Sequence, residues 1–206
     1  MSIVIIDYSV GNLCSVKNMF KRIGVNALIS GNPDIISKAD KLILPGVGRF
    51  DYGMEQLNKL DLINIIKEKV QNEKIPILGI CLGVQLLTEY SEEGGVEGLG
   101  FVKGKTIAFD KSKLQSDQKI PHMGWTNVKE YSASKLFKDM YDEPRFYFVH
   151  SFHLQVSNPS DIMVKANYGF DFAAGVECGN VLGVQFHPEK SHKFGMKLLE
   201  NYVNHY

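Results

Sequence analysis

The sequence lacks the features that mark several large classes of protein. It has three cysteines, Cys14, Cys81 and Cys178, whose odd number and spacing fit neither a disulfide framework nor a zinc site. Lysine plus arginine balance aspartate plus glutamate, 23 against 23, so no basic field exists to attract nucleic acid or anionic lipid. No apolar run approaches the roughly 20 residues that span a membrane. We therefore expect no metal, no cofactor, no nucleic-acid partner and no membrane partner.

Export signals and a phosphate loop are missing as well. An apolar stretch, residues 3–6, opens the chain without a basic segment and cleavage site before it. The glycines at 46 and 48 are not followed by the Lys-Ser/Thr ending of a phosphate loop. Unpaired thiols suit a reducing compartment. We expect a cytoplasmic protein.

The length and composition indicate one globular domain over residues 1–206. Hydrophobic residues make up 44% of the 206 residues and charged residues 22%, as in ordinary globular proteins. Buried strands and amphipathic helices alternate in the first half, which predicts a parallel sheet. The predicted strands cover 3–7, 25–29, 41–44 and 75–80, and the predicted helices cover 13–23, 61–70 and 82–90.

The second half is richer in strands with short connections, which suggests antiparallel additions to the same sheet. Strands are predicted at 100–109, 145–150, 152–156, 162–166, 172–177 and 181–186. A polar loop is predicted at 111–119 and a closing helix at 194–203. The fold class is therefore α/β, with a mixed, mostly parallel central sheet flanked by helices.

Residues 79–83 (Gly-Ile-Cys-Leu-Gly) have the form of a nucleophile elbow. An apolar strand pattern ends at Cys81, glycines flank it two positions away on each side, and a helical pattern follows. The serine version of this motif places the nucleophile on a strained strand-to-helix turn that demands small neighbours. Cysteine fits the same geometry and is the better nucleophile.

Residues 185–189 (Gln-Phe-His-Pro-Glu) supply a base and a carboxylate. Side chains alternate along a strand, so His187 and Glu189 should point the same way. A carboxylate there can fix the tautomer of the imidazole and stabilise its protonated form. Cys81, His187 and Glu189 are thus a candidate catalytic triad. Singly, such a Cys is usually a small buried hydrophobe and such a His a surface residue, but the two motifs together favour catalysis.

Two further features surround the candidate nucleophile. Gln85 lies one helical turn after Cys81 and could contact a polar substrate, although a helix-surface glutamine would look the same. The Gly46-Val47-Gly48 backbone at the end of a neighbouring strand could supply an oxyanion donor. The amide of Leu82 at the helix start could supply another.

Taken together, these motifs resemble class I glutamine amidotransferase domains, which have a flavodoxin-like fold. The resemblance rests on the elbow with Gln85, the Pro45–Gly48 strand end and the 185–189 motif, in that order, and it covers essentially the whole chain. Such domains hydrolyse glutamine to glutamate and release ammonia for a synthase partner. The resemblance therefore implies a glutaminase.

Other segments resemble one branch of that family, the glutaminase subunits of imidazole glycerol phosphate synthases. They are Asp7-Tyr8 with Gly11-Asn12, residues 121–125 (Pro-His-Met-Gly-Trp), residues 147–151 (Tyr-Phe-Val-His-Ser) and Lys190-Ser191. This resemblance implies a heterodimer with a (β/α)8-barrel cyclase. The released ammonia would convert PRFAR, a phosphoribosyl aminoimidazole carboxamide nucleotide, to imidazole glycerol phosphate and AICAR in histidine biosynthesis.

The resemblance also implies residue roles. Cys81 attacks the glutamine carboxamide carbon, His187 carries the proton from thiol to ammonia, and Glu189 orients His187, by way of a γ-glutamyl thioester. The matched substrate positions are Gly48, Gln85, Glu93, His150, Ser151 and Phe152, and the matched oxyanion positions are Val47, Gly48 and Leu82. The matched partner-interface positions are Asn12, Met123, Trp125, Tyr147 and Lys190.

Three residues depart from the branch pattern and leave alternatives open. Thr126 stands where Asn is usual, Phe152 where Tyr is usual, and Arg49 where a small residue is usual. One alternative is a paralogous subunit that supplies ammonia for amidination of a bacterial surface sugar. A non-catalytic binding module and a stand-alone thiol hydrolase or chaperone are the others, and the intact motifs disfavour both.

Overall fold

The computed structural model describes residues 1–206 and contains thirteen strands, six α-helices and several short turns of other helix types. The strands are β1 (Ile3–Ile6), β2 (Ala27–Ser30), β3 (Lys41–Gly46), β4 (Ile77–Cys81), β5 (Thr88–Ser91), β6 (Val96–Glu97), β7 (Val102–Ala108), β8 (His122–Glu130), β9 (Arg145–His150), β10 (Phe152–Val156), β11 (Ile162–Tyr168), β12 (Phe170–Cys178) and β13 (Val181–Val184). The α-helices are α1 (Leu13–Arg22), α2 (Pro33–Ile36), α3 (Phe50–Lys59), α4 (Leu62–Lys67), α5 (Leu82–Leu86) and α6 (His192–His205).

All thirteen strands belong to one connected sheet. Five of them are parallel, in the order β2-β1-β3-β4-β13, and they form the centre from which the site is built. The second half of the chain adds antiparallel pairs through β12, β10, β11, β8 and β9, as the sequence predicts. The mixed sheet is confirmed; its parallel pairs lie among the strands around the elbow and, apart from them, between β5 and β7.

The parallel strands β1, β3, β4 and β13 are buried on both faces, whereas the edge strand β2 exposes Leu28. Ile3 and Ile5 belong to one hydrophobic cluster, whereas Val4 and Ile6, which point the other way, belong to a second cluster. This division is expected for a parallel sheet covered by helices on both sides. The same sheet runs through both halves of the chain, and one domain over residues 1–206 remains a prediction.

Several element boundaries differ from prediction. The helix predicted over 82–90 ends at Leu86, and Thr88–Ser91 forms strand β5 instead. The hydroxyl of Thr88 donates to the carbonyl of Gln85 at 2.7 Å, which satisfies an orphan carbonyl at the helix end. Helix α4 becomes a π-helical turn over Glu68–Asn72, and part of the loop predicted at 111–119 is a 3-10 turn over Lys111–Lys113.

Five elements are absent from the prediction, namely helices α2 and α3 and strands β5, β6 and β8. Helix α3 contains Gly53 and a mostly polar sequence, and it is held in place by the burial of Phe50 and Leu57. Strand β8 carries the segment around Trp125 and has only short buried stretches. No helix of the chain is long and apolar enough to cross a membrane.

Candidate active site

Cys81 sits on a strained turn where β4 meets α5. Its backbone has φ 54° and ψ −110°, a conformation that residues with side chains adopt at a cost. The glycines of the motif are required by close packing. A Cβ at Gly83 would lie 1.7 Å from the carbonyl oxygen of Leu44, and one at Gly79 would lie 2.7 Å from the backbone of Val84. The geometry is that of the predicted nucleophile elbow.

His187 and Glu189 form a buried pair, but not for the reason predicted. Strand β13 ends at Val184, and Pro188–Lys190 is a 3-10 turn rather than a strand. The turn brings Nδ1 of His187 to 2.7 Å from Oε1 of Glu189, with both side chains almost completely buried. A bridge to Tyr147 on β9 fixes the backbone of His187. The strand-alternation argument was wrong, although the contact it predicted is present.

The electrostatics favour a protonated His187. Burial alone lowers the pKa of this imidazole, but the negative charges of Cys81 and Glu189 outweigh burial and raise the pKa to about 10. Nε2 of His187 and Oε2 of Glu189 are buried and make no hydrogen bond. An imidazolium beside a thiolate is the arrangement that activates a cysteine nucleophile.

Cys81 opens onto a cavity of about 260 Å³. Every residue that the sequence assigned to substrate binding or to the oxyanion hole lines this cavity, together with Cys81 itself. The lining residues are Val47, Gly48, Cys81, Leu82, Gln85, Glu93, Pro121, Val149, His150, Ser151 and Phe152. The structure therefore gathers residues from five separate segments around one thiol, in a space suited to a small molecule.

Gln185 connects the cavity wall to the nucleophile, and sequence reasoning missed it. Its Nε2 points at Sγ of Cys81 from 3.9 Å, and its Oε1 accepts a hydrogen bond from Nε2 of Gln85 at 3.0 Å. The sulfur also lies 3.8 Å from the carbonyl of Val149. The sequence did contain a signal, because Gln185 is a polar residue inside an otherwise apolar strand pattern. The structure shows that its side chain is fully buried.

The segment 47–49, which carries the candidate oxyanion donors, is held at both ends. The hydroxyl of Tyr8 donates to the carbonyl of Pro45 at 2.8 Å, just before it. A carboxylate oxygen of Glu93 accepts from the amide of Phe50 at 2.9 Å, just after it. Gly48 has φ 107°, and the amides of Val47 and Gly48 donate no hydrogen bond within the chain. These amides are thus free to serve a bound group.

Leu82 offers the other predicted donor. It is the first residue of α5, so its amide has no intrahelical acceptor. Positive charge density at a helix start adds to the attraction for a developing oxyanion, although the five-residue helix limits this contribution. No group of three His, Cys, Asp or Glu side chains is arranged to hold a metal ion.

The residues predicted to meet a partner lie on an exposed surface next to the triad. Met123 is 61% exposed and Trp125 44% exposed. Trp125 packs edge-on to Tyr147 at 6.3 Å, and the ammonium of Lys190 lies 5.5 Å from the centre of the same tyrosine ring. Asn12 caps the start of α1, where its side chain accepts a hydrogen bond from the amide of Ser15.

Known proteins resemble this chain over nearly its whole length. The family model for class I glutamine amidotransferase matches residues 4–205. A protein of Methanococcus maripaludis named imidazole glycerol phosphate synthase subunit HisH 2 is 52% identical over 98% of both chains. Proteins named as HisH subunits of the same synthase from Sulfurimonas denitrificans and Pseudomonas aeruginosa are 48% and 46% identical over 98% of both chains.

Solved structures share the fold at lower sequence identity. A structure of PurLQS from Thermotoga maritima superposes with a TM-score of 0.74 at 20% identity, covering 98% of this chain and 97% of that one. A crystal structure of a glutamine amidotransferase superposes with a TM-score of 0.72 at 16% identity, covering 97% and 95%. These structural matches establish the architecture around the cavity.

Proposed function

The chain belongs to the class I glutamine amidotransferase family, and from that membership and the site geometry we propose that Cys81, His187 and Glu189 hydrolyse glutamine. The observation that carries the assignment of roles is the strained Cys81 at the mouth of the cavity, beside a buried imidazole that a carboxylate contacts at 2.7 Å. The product glutamate leaves, and the ammonia passes to a second subunit.

The reaction begins when His187 takes the proton of the Cys81 thiol. The thiolate sulfur forms a bond to the carboxamide carbon of glutamine, and the carbonyl electrons move onto oxygen. The amides of Leu82 and of the 47–49 segment donate hydrogen bonds to this negatively charged oxygen, and one such donor contributes roughly 3 to 4 kcal/mol. When the intermediate collapses, the carbon–nitrogen bond breaks and His187 gives its proton to the departing ammonia.

The second half of the reaction regenerates the enzyme. A γ-glutamyl thioester now joins glutamate to Cys81, and His187 is neutral. His187 takes a proton from water as the water oxygen attacks the thioester carbon. The carbon–sulfur bond then breaks, which releases glutamate and restores the thiolate. Glu189 keeps Nδ1 of His187 protonated throughout, so that Nε2 is the atom that exchanges protons.

The chain acts as the glutaminase subunit of an imidazole glycerol phosphate synthase in histidine biosynthesis. The relatives at 52%, 48% and 46% identity all carry that subunit name, and the name implies a cyclase subunit as partner. The surface-sugar alternative is not favoured, because none of these names points to it. We place the reaction in the cytoplasm, where amino-acid biosynthesis runs.

Glutamate release with and without the cyclase subunit tests the proposal. We expect the chain alone to have almost no glutaminase activity, because the family resemblance implies that the Val47–Gly48 peptide must reorient to complete the oxyanion hole, and one absent donor costs about 100- to 1000-fold. We expect the cyclase to restore the rate. Equal rates of glutamate release with and without the cyclase would rule out activation by the partner. Labelling of Cys81 by a glutamine-mimicking electrophile separates an enzyme from a binding module: an unlabelled thiol, even with the partner present, would favour the module.

A further inference from the structure

Two buried histidines, one in the cavity wall and one behind it, form a contact that the reaction described above does not explain. His122 on β8 is paired across the sheet with His150 at the end of β9, and the two side chains are 2% and 5% exposed. Nδ1 of His122 lies 2.9 Å from Nε2 of His150. The ring of His122 is stacked between those of Phe148 and Tyr168, with centroids 4.9 and 4.1 Å away. Such tight aromatic packing leaves the imidazole one orientation.

The hydrogen bonds at the two ends of this pair determine where each proton sits. Nδ1 of His150 lies 2.8 Å from the carbonyl oxygen of Phe152, which can only accept, so this nitrogen carries a proton. Burial lowers the pKa of His150 to about 3 and that of His122 to about 4, so both rings are neutral near pH 7. Nε2 of His150 is therefore an acceptor, and His122 donates to it from Nδ1.

Thr126 completes the chain of donors. Nε2 of His122 must be an acceptor, and it lies 2.8 Å from the hydroxyl oxygen of Thr126. The two residues lie four apart on β8, and Gly124 between them has φ 133°, a backbone conformation that departs from an extended strand. Each donor thus points toward the cavity: Thr126 to His122, His122 to His150, and His150 to the Phe152 carbonyl.

This series of hydrogen bonds ends in the wall of the glutamine cavity. The Phe152 carbonyl accepts a second hydrogen bond, from Nε2 of Gln85 at 3.1 Å, and the same amide nitrogen also donates to Gln185. Phe152, His150 and Gln85 all line the cavity, whereas Thr126 and His122 do not. A carbonyl held by two donors cannot rotate without breaking both bonds.

We propose that Thr126 and His122 are positioning residues for glutamine binding, acting through His150 to fix the Phe152 carbonyl and the Gln85 side chain. This inference rests on the proposed glutaminase function. It gives a role to Thr126, where the sequence departs from its relatives' usual Asn. The Thr126 hydroxyl donates a single hydrogen bond to the imidazole of His122, and only a residue with such a donor keeps every hydrogen bond of the series pointing toward the cavity.

The test compares Thr126→Val with Thr126→Ser in the complex with the cyclase subunit. Valine keeps the shape of threonine and removes the donor, whereas serine keeps the donor and removes a methyl group. We expect the valine variant to raise KM for glutamine about 3- to 10-fold, the effect of one net hydrogen bond, with kcat within about twofold. The serine variant should match the unmodified enzyme. Equal KM values for the two variants, or a loss confined to kcat, would overturn the proposal.

A second measurement does not depend on activity. Long-range proton–nitrogen NMR spectra of the full chain with labelled histidine report which ring nitrogen carries the proton. We expect both His122 and His150 to be neutral and protonated at Nδ1 at pH 7. A proton on Nε2 of either ring contradicts the chain of donors. If the unmodified complex releases no glutamate, the proposed function fails, and the NMR result alone then decides the arrangement of the histidines.

Discussion

Nδ1 of His187 lies 2.7 Å from Oε1 of Glu189, and the two side chains are only 1% and 4% exposed. Each member also has one polar atom without a partner, Nε2 on the imidazole and Oε2 on the carboxylate. A buried carboxylate next to an imidazolium is stabilised only while both are charged, because removing one charge leaves the other uncompensated. The pair therefore biases the site toward the protonated imidazole that catalysis needs.

Removing the charge of Glu189 should lower turnover without changing the shape of the site. In Glu189→Gln the amide occupies the same volume but no longer stabilises the imidazolium, so we expect kcat for glutamate release to fall about 10²- to 10⁴-fold. The measurement is glutamate release in the presence of the cyclase subunit. Glu97→Gln, an exposed glutamate in β6, is the matched control. A kcat within twofold of the unmodified enzyme would show that Glu189 has no such role.

Cys81→Ala should separate the two activities of the complex. We expect glutamate release to disappear, since no other thiol faces the cavity, while turnover of PRFAR with added ammonia should continue at the original rate. The exposed Cys14 offers a control, Cys14→Ala, which should keep both activities. Loss of the ammonia-dependent reaction in the Cys81 variant would indicate a structural defect instead.

The elbow glycine Gly83 should tolerate no side chain. An alanine Cβ would overlap the carbonyl oxygen of Leu44 at 1.7 Å, and backbone cannot yield as a flexible side chain can. We expect Gly83→Ala to lower the free energy of unfolding by about 3 kcal/mol or more. Gly24→Ala, at a positive φ of 76° but in open space, should cost only about 1 to 2 kcal/mol. Urea denaturation measures both, and equal losses would contradict the packing argument.

The buried neutral pair His122 and His150 should make the folding stability of the protein sensitive to acid. Burial lowers the pKa of His122 to about 4 and that of His150 to about 3, below the unfolded value of about 6.5. Between these values the unfolded chain binds more protons, so their contribution is complete above about pH 6.5 and is lost as the pH falls toward 4 and 3. Each imidazole changes the free energy of unfolding by at most about 1.4 kcal/mol per pH unit.

Chemical denaturation between pH 4 and pH 7 checks this expectation. The unfolding free energy of His122→Gln should fall less steeply with decreasing pH than that of the unmodified chain. His205→Gln, a change in the last turn of α6, serves as the control and should leave the slope as it was. An unchanged slope in the His122 variant would mean that this ring does not titrate in the manner described.

Trp125 should be a principal contact for the cyclase subunit. Its ring is 44% exposed, stacks on His192 at 5.5 Å and lies under the guanidinium of Arg145, so it is rigidly held before any partner arrives. We expect Trp125→Ala to weaken the complex by roughly 2 to 4 kcal/mol, or about 30- to 1000-fold in Kd. Tyr131→Ala, at a comparably exposed aromatic residue just beyond the same strand, should have little effect. Titration calorimetry with the cyclase compares the two.

The sequence predicted the elements that depend on short-range patterns. The β4 strand, the glycines around Cys81 and the amphipathic α1 are visible because apolar spacing and steric demands act within a few residues. The helix after the elbow was predicted too long, because Leu86 and Leu87 continue an apolar pattern that the chain uses for a turn into β5. Helix α3 was missed since its stability comes from burial against distant residues.

The site shows the same division. Residue types and motif order predicted the triad, and the family resemblance implied most of the residues that line the cavity, but neither predicted the contacts that hold them. Gln185 and His122 were not predicted as site residues, because their hydrogen-bond partners lie far away in the sequence. These partners are Gln85 and His150, and local residue spacing does not indicate which distant strands will pair. The 3-10 turn at Pro188 likewise replaced the strand expected there, while preserving the contact between His187 and Glu189.

The two anchors of the 47–49 segment limit what kind of motion can occur there. Tyr8 holds the carbonyl of Pro45, and Glu93 holds the amide of Phe50, so the free span is only three residues long. Such a span is too short to open as a lid, so its peptide planes can only rotate about the backbone torsions between the two anchors. Little chain entropy changes in that rotation. Any turn of the Val47 or Gly48 amide toward the cavity is therefore a rotation about local backbone torsions between the hydrogen bonds of Tyr8 and Glu93.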